Sequence, residues 1–309
     1  MKYTEPKIIK QRKQKKEAVI NFWRIFSIQG GLFLLTSILA VFSAFKLNKL
    51  VQTKEIYLPA TSWQDFLFSF LFVTFFIIVF ATYKKAGKFK EIIYKALFII
   101  SVFWGGMTIL NLFMPVFMAV ILMGILIIFW LERPSILVHD ILMILGLAGV
   151  ASFFGLGFSP AVVVALLLIF SVYDFIAVYK TKHMVLMAKE MIEKKVIFGF
   201  IIPKEFKFFK DNFKNVKPGR VARASRGAGA PNLGNFMILG GGDVVFPNLL
   251  VASVIPFGIY KALVIVLFSL IGCFMSYWIF SNQDKKEPMP ALPPIAFFSI
   301  VGYLITLFF

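Results

Sequence analysis

From residue 135 to residue 179 the chain runs without a single Lys, Arg or Glu. The run holds about 45 residues, roughly 67 Å of helix, against a bilayer hydrocarbon core of about 30 Å. It is too long for one crossing and too apolar to face water. It must turn, and Phe154-Gly155-Leu156-Gly157-Phe158-Ser159-Pro160 supplies the turn through its glycines and proline. The rest of the chain has the same character. It is 60% hydrophobic, with 39 Phe against 15 Asp+Glu, and its mean hydropathy is +0.86. A soluble domain is nearer half apolar. Too few polar residues remain to cover a water-facing surface. A cytosolic enzyme, a secreted domain and a disordered chain are excluded, and a polytopic membrane protein remains.

The other apolar runs are read as spans in the same way. Residues 22–45 and 62–83 each fit one crossing. Residues 96–131 are too long for one, and Pro115 near their middle predicts two short helices with a tight turn. Residues 135–179 give two more. Residues 235–254, 261–280 and 290–309 complete the set. The expectation is an all-α membrane protein of nine helices. Residues 1–21 are basic and carry no cleavage-site pattern, so the first helix is expected to stay in the membrane.

The net charge of +18 would fit a nucleic-acid binder. Topology explains it better. With nine crossings and a cytoplasmic N-terminus, the C-terminus is outside and only Lys46, Lys49, Lys54 and Lys261 lie on the outer side. All other basic residues fall inside, as the positive-inside rule demands. No nucleic-acid partner is expected; the bilayer is the partner. The domain organisation follows: a basic cytoplasmic tail (1–21), a six-helix bundle (22–180), a cytoplasmic loop (181–231) and a three-helix C-terminal part (232–309). Within the loop, 180–195 fits an amphipathic helix with Met184, Met187, Met191 and Ile192 on one face. Val196-Ile197-Phe198-Gly199-Phe200-Ile201-Ile202 is β-prone and ends at Pro203. Phe206, Phe208, Phe209 and Phe213 alternate with lysines, a pattern for an anionic lipid surface or a solvated loop.

Four acidic residues lie inside apolar runs, where carboxyls are costly and usually functional. Asp65 and Asp140 (beside His139) sit near interfaces and read as polar anchors or local pairs. Asp174 and Asp243 lie deeper, on consecutive antiparallel helices. Asp174 is six residues before Lys180. Asp243 is eight residues after Asn235, about 12 Å deep if that stretch is helical. The two can meet at one depth. Carboxyls at contact distance do not both ionise easily, and one proton shared between two is the arrangement aspartic proteases use. A structural hydrogen-bonded pair or a transporter's proton relay uses the same residues.

The flanking residues bear on that choice. Gly240-Gly241-Gly242 precedes Asp243, and each Gly costs a helix about 1 kcal/mol relative to Ala. In Pro290-Ala291-Leu292-Pro293-Pro294 the last two prolines donate no N–H, so the expectation is a broken helix with free carbonyls. At membrane depth such groups are tolerated only where they line a cavity or bind something.

Together these pieces resemble the presenilin and signal peptide peptidase family of intramembrane aspartyl proteases. Tyr173-Asp174 is similar to its tyrosine-aspartate motif in the sixth helix. Gly240-Gly241-Gly242-Asp243 is similar to its glycine-any-glycine-aspartate motif in the seventh, and Pro290-Ala291-Leu292 to its proline-alanine-leucine motif in the ninth. The stretch 173–187 looks most like the archaeal members. The resemblance is specific over 160–309 and topological over 1–159. It departs at Gly241, where members often carry a larger residue. It implies catalytic roles for Asp174 and Asp243 and a substrate-positioning role for Pro290, Ala291 and Leu292. Tyr173, Gly240, Gly241 and Gly242 support the pair. The implied substrates are transmembrane segments of other proteins, remnant signal peptides among them. Nothing indicates an obligate partner subunit. The protein is then integral and multi-pass, in the cell membrane of a prokaryotic or archaeal cell. Prepilin peptidases share the glycine-aspartate motif and lack the ninth-helix one.

Three readings remain at this point: an intramembrane endopeptidase, a proton-coupled transporter or cation leak pathway using the same carboxyls, and a non-catalytic scaffold. A transporter should show matched repeats, and none is visible. One Cys (Cys273) and two His (His139, His183) give no basis for a metal or cofactor. A substrate helix must unwind before it is cut, and its freed backbone needs new partners. Phe236, Met237, Ile238 and Leu239 are expected to offer them as an extended edge, poorly ordered without substrate, with Val196–Ile202 able to add a strand.

Overall fold

The computed structural model describes residues 5–54, 87–133, 135–181, 188, 190–203, 209, 236–283 and 288–309. The expected span 62–83 with Asp65, and most of the basic loop with its Phe/Lys alternation and Gly-rich stretch, lie outside the described residues. So do Met184 and Met187.

Eight helices are described: α1 (Glu5–Gln52), α2 (Gly87–Leu110), α3 (Val116–Glu132), α4 (Ile136–Gly157), α5 (Pro160–Tyr179), α6 (Gly241–Val254), α7 (Ile259–Ser281) and α8 (Leu292–Thr306). Two strands, β1 (Gly199–Pro203) and β2 (Phe236–Gly240), pair antiparallel. Helices α2 and α3 part at Pro115, and α4 and α5 at Phe158-Ser159, where the apolar runs were expected to turn. Helix α1 runs from the basic tail into the first span without a break.

Five helices are long and apolar enough to cross a membrane, and α3, the α6 region and α8 are shorter apolar helices. Their outward faces are apolar too. Ile121, Ile125 and Ile128 on α3, and Leu168, Val172 and Phe175 on α5, are exposed. In water that surface would drive aggregation; in lipid it is the normal exterior.

Helix α4 is the centre of the bundle. It packs against α1, α2, α3 and α6 and touches β1. Its small residues explain how. A Cβ at Gly105 of α2 or Gly149 of α4 would run into the other helix's backbone, so these helices meet main chain to main chain. Helices α7 and α8 pack closely as well. The Ser269 and Ser299 hydroxyls lie 2.7 Å apart between them, and each also lies within reach of a carbonyl of its own helix, so one hydroxyl donates across and the other donates to its helix.

Two expectations are corrected here. Residues 235–254 are not one helix. The chain is a strand to Gly240 and turns helical at Gly241, because three glycines carry no helix preference and β1 satisfies the strand's backbone. The strand is therefore already paired with β1. The second correction concerns the C-terminal prolines. They do not break a helix. Helix α8 begins at Leu292, so Pro293 and Pro294 fall in its first turn, where N–H groups have no helical acceptor in any case.

Candidate active site

Helix α5 is aliphatic or aromatic along its length except at Asp174 and the small hydroxyl of Ser171. The Asp174 side chain is turned inward and only 4% exposed. Its Oδ2 accepts the backbone N–H of Leu292 at 3.3 Å. Leu292 is the first residue of α8, so the carboxyl caps that helix from outside, where free N–H groups and the helix dipole favour an anion. The donor belongs to the Pro290-Ala291-Leu292 motif. Sequence reasoning gave these residues to the substrate. The structure puts one of their amides on Asp174. Pro290 and Leu292 are buried, and Ala291 is partly so.

Asp243 lies in the first turn of α6, directly after the β2 strand. It is partly accessible, and its carboxyl hydrogen-bonds the backbone of Gly240. Gly240 is extended and precedes the helix as its N-cap. Gly241 is pressed against Phe198, Met143 and Leu147; a Cβ there would lie 3.1 Å from the Phe198 carbonyl oxygen. Gly242 is exposed. The three glycines thus do different work: one starts the helix, one lets it lie against α4, one leaves the surface open.

The structure brings Asp174 and Asp243 together, near enough for their charges to interact. Helix α8 packs on both parent helices, α5 and α6. The helical depth estimate for Asp243 does not survive, since the residues before it are extended. The two parent helices are also joined by a stack between Phe170 of α5 and Phe246 of α6, which the sequence reading missed. Its signal was present: an aromatic one turn from each aspartate. Around the pair, Phe236, Met237 and Ile238 are partly buried and Leu239 is buried. Tyr173 points outward and is exposed. Cys273 is buried, takes a hydrogen bond from Gln29 Nε2 at 3.3 Å, and lies within electrostatic range of Asp243.

His139 and Asp140 do not pair with each other; each is bonded to the backbone of β1. Both are buried.

A pair of carboxyls sharing one proton, one buried against a helix terminus and one more accessible, can act as acid and base toward a bound carbonyl and a water. The comparisons fit that chemistry. The family model described as signal-peptide peptidase, presenilin aspartyl protease matches residues 30–309. Two solved structures of a presenilin family intramembrane aspartate protease, in space groups C222 and P2, share this fold. Each is 21% identical and covers 90% of this chain and 96% of its own, with TM-scores of 0.59 and 0.53. No curated protein gives a significant match.

Proposed function

The chain belongs to the signal-peptide peptidase, presenilin aspartyl protease family, and on that premise we propose that Asp174 and Asp243 are its catalytic pair. It is an intramembrane aspartyl protease, an integral multi-pass peptidase acting on transmembrane segments. The observation that carries the assignment is that the two carboxyls lie near enough for their charges to interact, with the Leu292 amide of α8 on Asp174.

In the proposed reaction the ionised carboxyl takes a proton from water, and the water oxygen attacks the scissile carbonyl carbon. The protonated carboxyl gives its proton to the carbonyl oxygen, forming a neutral gem-diol. Collapse of the diol returns that proton and breaks the C–N bond, while the first carboxyl protonates the leaving nitrogen. The pair ends as it began, with one proton.

The substrate's unwound segment adds to the side of β2 away from β1, at Ile238, where no other described strand pairs. Backbone parity supports this. Gly241 N–H donates to the Phe198 carbonyl at 2.9 Å, so residues 241, 239 and 237 face β1, and residues 240, 238 and 236 face away. Pro290 and Ala291 border the cleft. Nine crossings with a cytoplasmic N-terminus belong to the same proposal, supported by the sorting of basic residues; a cell-membrane location is also proposed. The transporter alternative has no support in the family match or in the structural neighbours.

The test is incubation of the purified protein in detergent or vesicles with a single-span substrate, with mass spectrometry of the fragments. Cleavage within the apolar segment by the wild type, and none by Asp174→Asn or Asp243→Asn, is expected. Wild-type cleavage by both variants would overturn the assignment.

A further inference from the structure

β1 has two backbone edges. One pairs with β2, through residues 198, 200 and 202 by parity. On the other, the Gly199 carbonyl and the Ile201 N–H point away from the sheet. An open edge there would be a second template for any extended chain. Both groups are met by adjacent side chains in the second turn of α4. Asp140 Oδ1 accepts the Ile201 N–H at 3.0 Å. His139 Nε2 lies 3.0 Å from the Gly199 oxygen. The tautomer follows from the other ring nitrogen. Trp130 Nε1 donates to His139 Nδ1 at 3.3 Å, so Nδ1 is the acceptor and Nε2 carries the hydrogen that goes to Gly199.

The clamp is built into a rigid frame. Ser135 caps α4, its side chain accepting from the Val138 N–H. The His139 ring stacks on Phe98, with planes 7° apart. Further along the same face of α4, Met143 and Leu147 touch Gly241, the residue that begins the Asp243 helix. One helix face therefore holds both β1 and the start of α6. Asp140 is also costly to keep. It is 2% exposed, and its Oδ2 has no hydrogen-bond partner among the described residues. A buried carboxyl making one bond is a poor way to gain stability. It is a good way to fix where one amide sits.

We infer that His139 and Asp140 are positioning residues of the protease: they seal the outer edge of β1 and fix the strand pair against α4, so that a substrate strand joins only at β2 and in one register relative to Asp243. The inference rests on the reading of β2 as the substrate's edge. A looser strand pair slides, and a slid substrate strand presents a neighbouring peptide bond to the carboxyls.

The experiment compares product distributions. His139→Phe keeps the ring packing and removes the donor. Asp140→Leu removes the acceptor, and Asp140→Asn retains it. With the single-span substrate, His139→Phe and Asp140→Leu should raise the ratio of secondary to main cleavage by about fivefold, the factor for one backbone hydrogen bond of about 1 kcal/mol. Asp140→Asn should keep the wild-type ratio. The ratio is counted among products, so partial misfolding does not change it. If Asp140→Leu fails to fold, His139→Phe decides alone. A second readout needs no proteolysis: in an Asp243→Asn background, hydrogen exchange of the 199–203 segment should be slow with Asp140 and fast with Asp140→Leu. Unchanged ratios and unchanged exchange would overturn the clamp. Altered exchange with cleavage persisting in Asp243→Asn would instead sink the catalytic assignment and leave the clamp standing as a structural feature.

Discussion

The rings of Phe170 and Phe246 stack with centroids 4.3 Å apart and planes 24° apart. Phe170 is one turn before Asp174 on α5, and Phe246 is nearly one turn after Asp243 on α6. On antiparallel helices that stack sets the two aspartates at one level. It also packs apolar surface next to the pair. Replacing Phe246 by Leu keeps an apolar side chain and forfeits the stack, worth about 0.5–1.5 kcal/mol. The loss in kcat should be larger than that energy implies, up to about a hundredfold, because reacting groups misplaced by an ångström lose rate steeply. Thermal denaturation and single-turnover rates on one preparation measure both. A rate loss no larger than the stability loss would show that the stack does not align the pair.

Each single Asp→Asn change should lower the rate by at least about a hundredfold, the scale of general acid–base catalysis, and leave the fold intact. Neither strands a buried charge, so the melting temperature should hold or rise. Circular dichroism during heating, beside fragment counts, checks this. A large fall in melting temperature in both variants would favour a structural role for the carboxyls.

The pH profile of kcat/KM should be bell-shaped. At low pH both carboxyls are protonated and no base remains; at high pH both are ionised and the acid is lost. Initial rates at a series of pH values on a chemistry-limited substrate test this. A flat profile across that range would count against a shared proton. A hydroxyl-bearing isostere of the gem-diol should inhibit by binding between the carboxyls. A chelator should leave the rate unchanged, and complete inhibition by one would require a metal.

Gly241 offers a structural test of the α4 contact. Its Cβ position lies 3.1 Å from the Phe198 oxygen, 3.3 Å from Met143 and 3.4 Å from Leu147. A Leu there overpacks this chain by about 1–3 kcal/mol. Gly241→Leu should lower the melting temperature, and Gly241→Ala should do so less. Equal stability of all three proteins would mean that α6 is not held against α4 at this point.

The site was more legible in the sequence than its scaffold, for physical reasons. A carboxyl in an apolar run, a glycine triplet and clustered prolines are each costly where they stand, so Asp174, Gly240–Asp243 and Pro290–Pro294 drew notice. Their local geometry was harder. A short apolar run such as 236–239 reads as helix or strand alike, because its period is not visible over four residues. Only its partner β1, some forty residues earlier, makes it a strand. Asp140 was noticed, with His139 beside it, and read as a polar anchor or local pair without its true partners. Their partners are backbone groups about sixty residues away, and backbone leaves no trace in side-chain identity. Likewise, prolines broke a helix on paper and begin one in space, since the sequence does not say which residue is first.

The parity of β2 separates substrate binding from folding. Ile238 directs its backbone groups away from β1, while Met237 and Leu239 direct theirs to β1. Pro is tolerated on an edge strand when its missing N–H faces outward, and breaks the ladder when it faces inward. Ile238→Pro should therefore leave the β1–β2 pair and the melting temperature nearly unchanged. It removes one donor that an unwound substrate would use. In hydrocarbon the substrate carbonyl then stays unpaired, at a cost of about 1–3 kcal/mol. That corresponds to a fall in kcat/KM of about five- to a hundredfold. Met237→Pro removes the donor facing Ile202 and should lower stability and activity together. The measurement is kcat/KM and melting temperature for both variants, with hydrogen exchange over 199–203 as the report on the ladder. Full activity in Ile238→Pro would mean that the substrate does not pair with this edge.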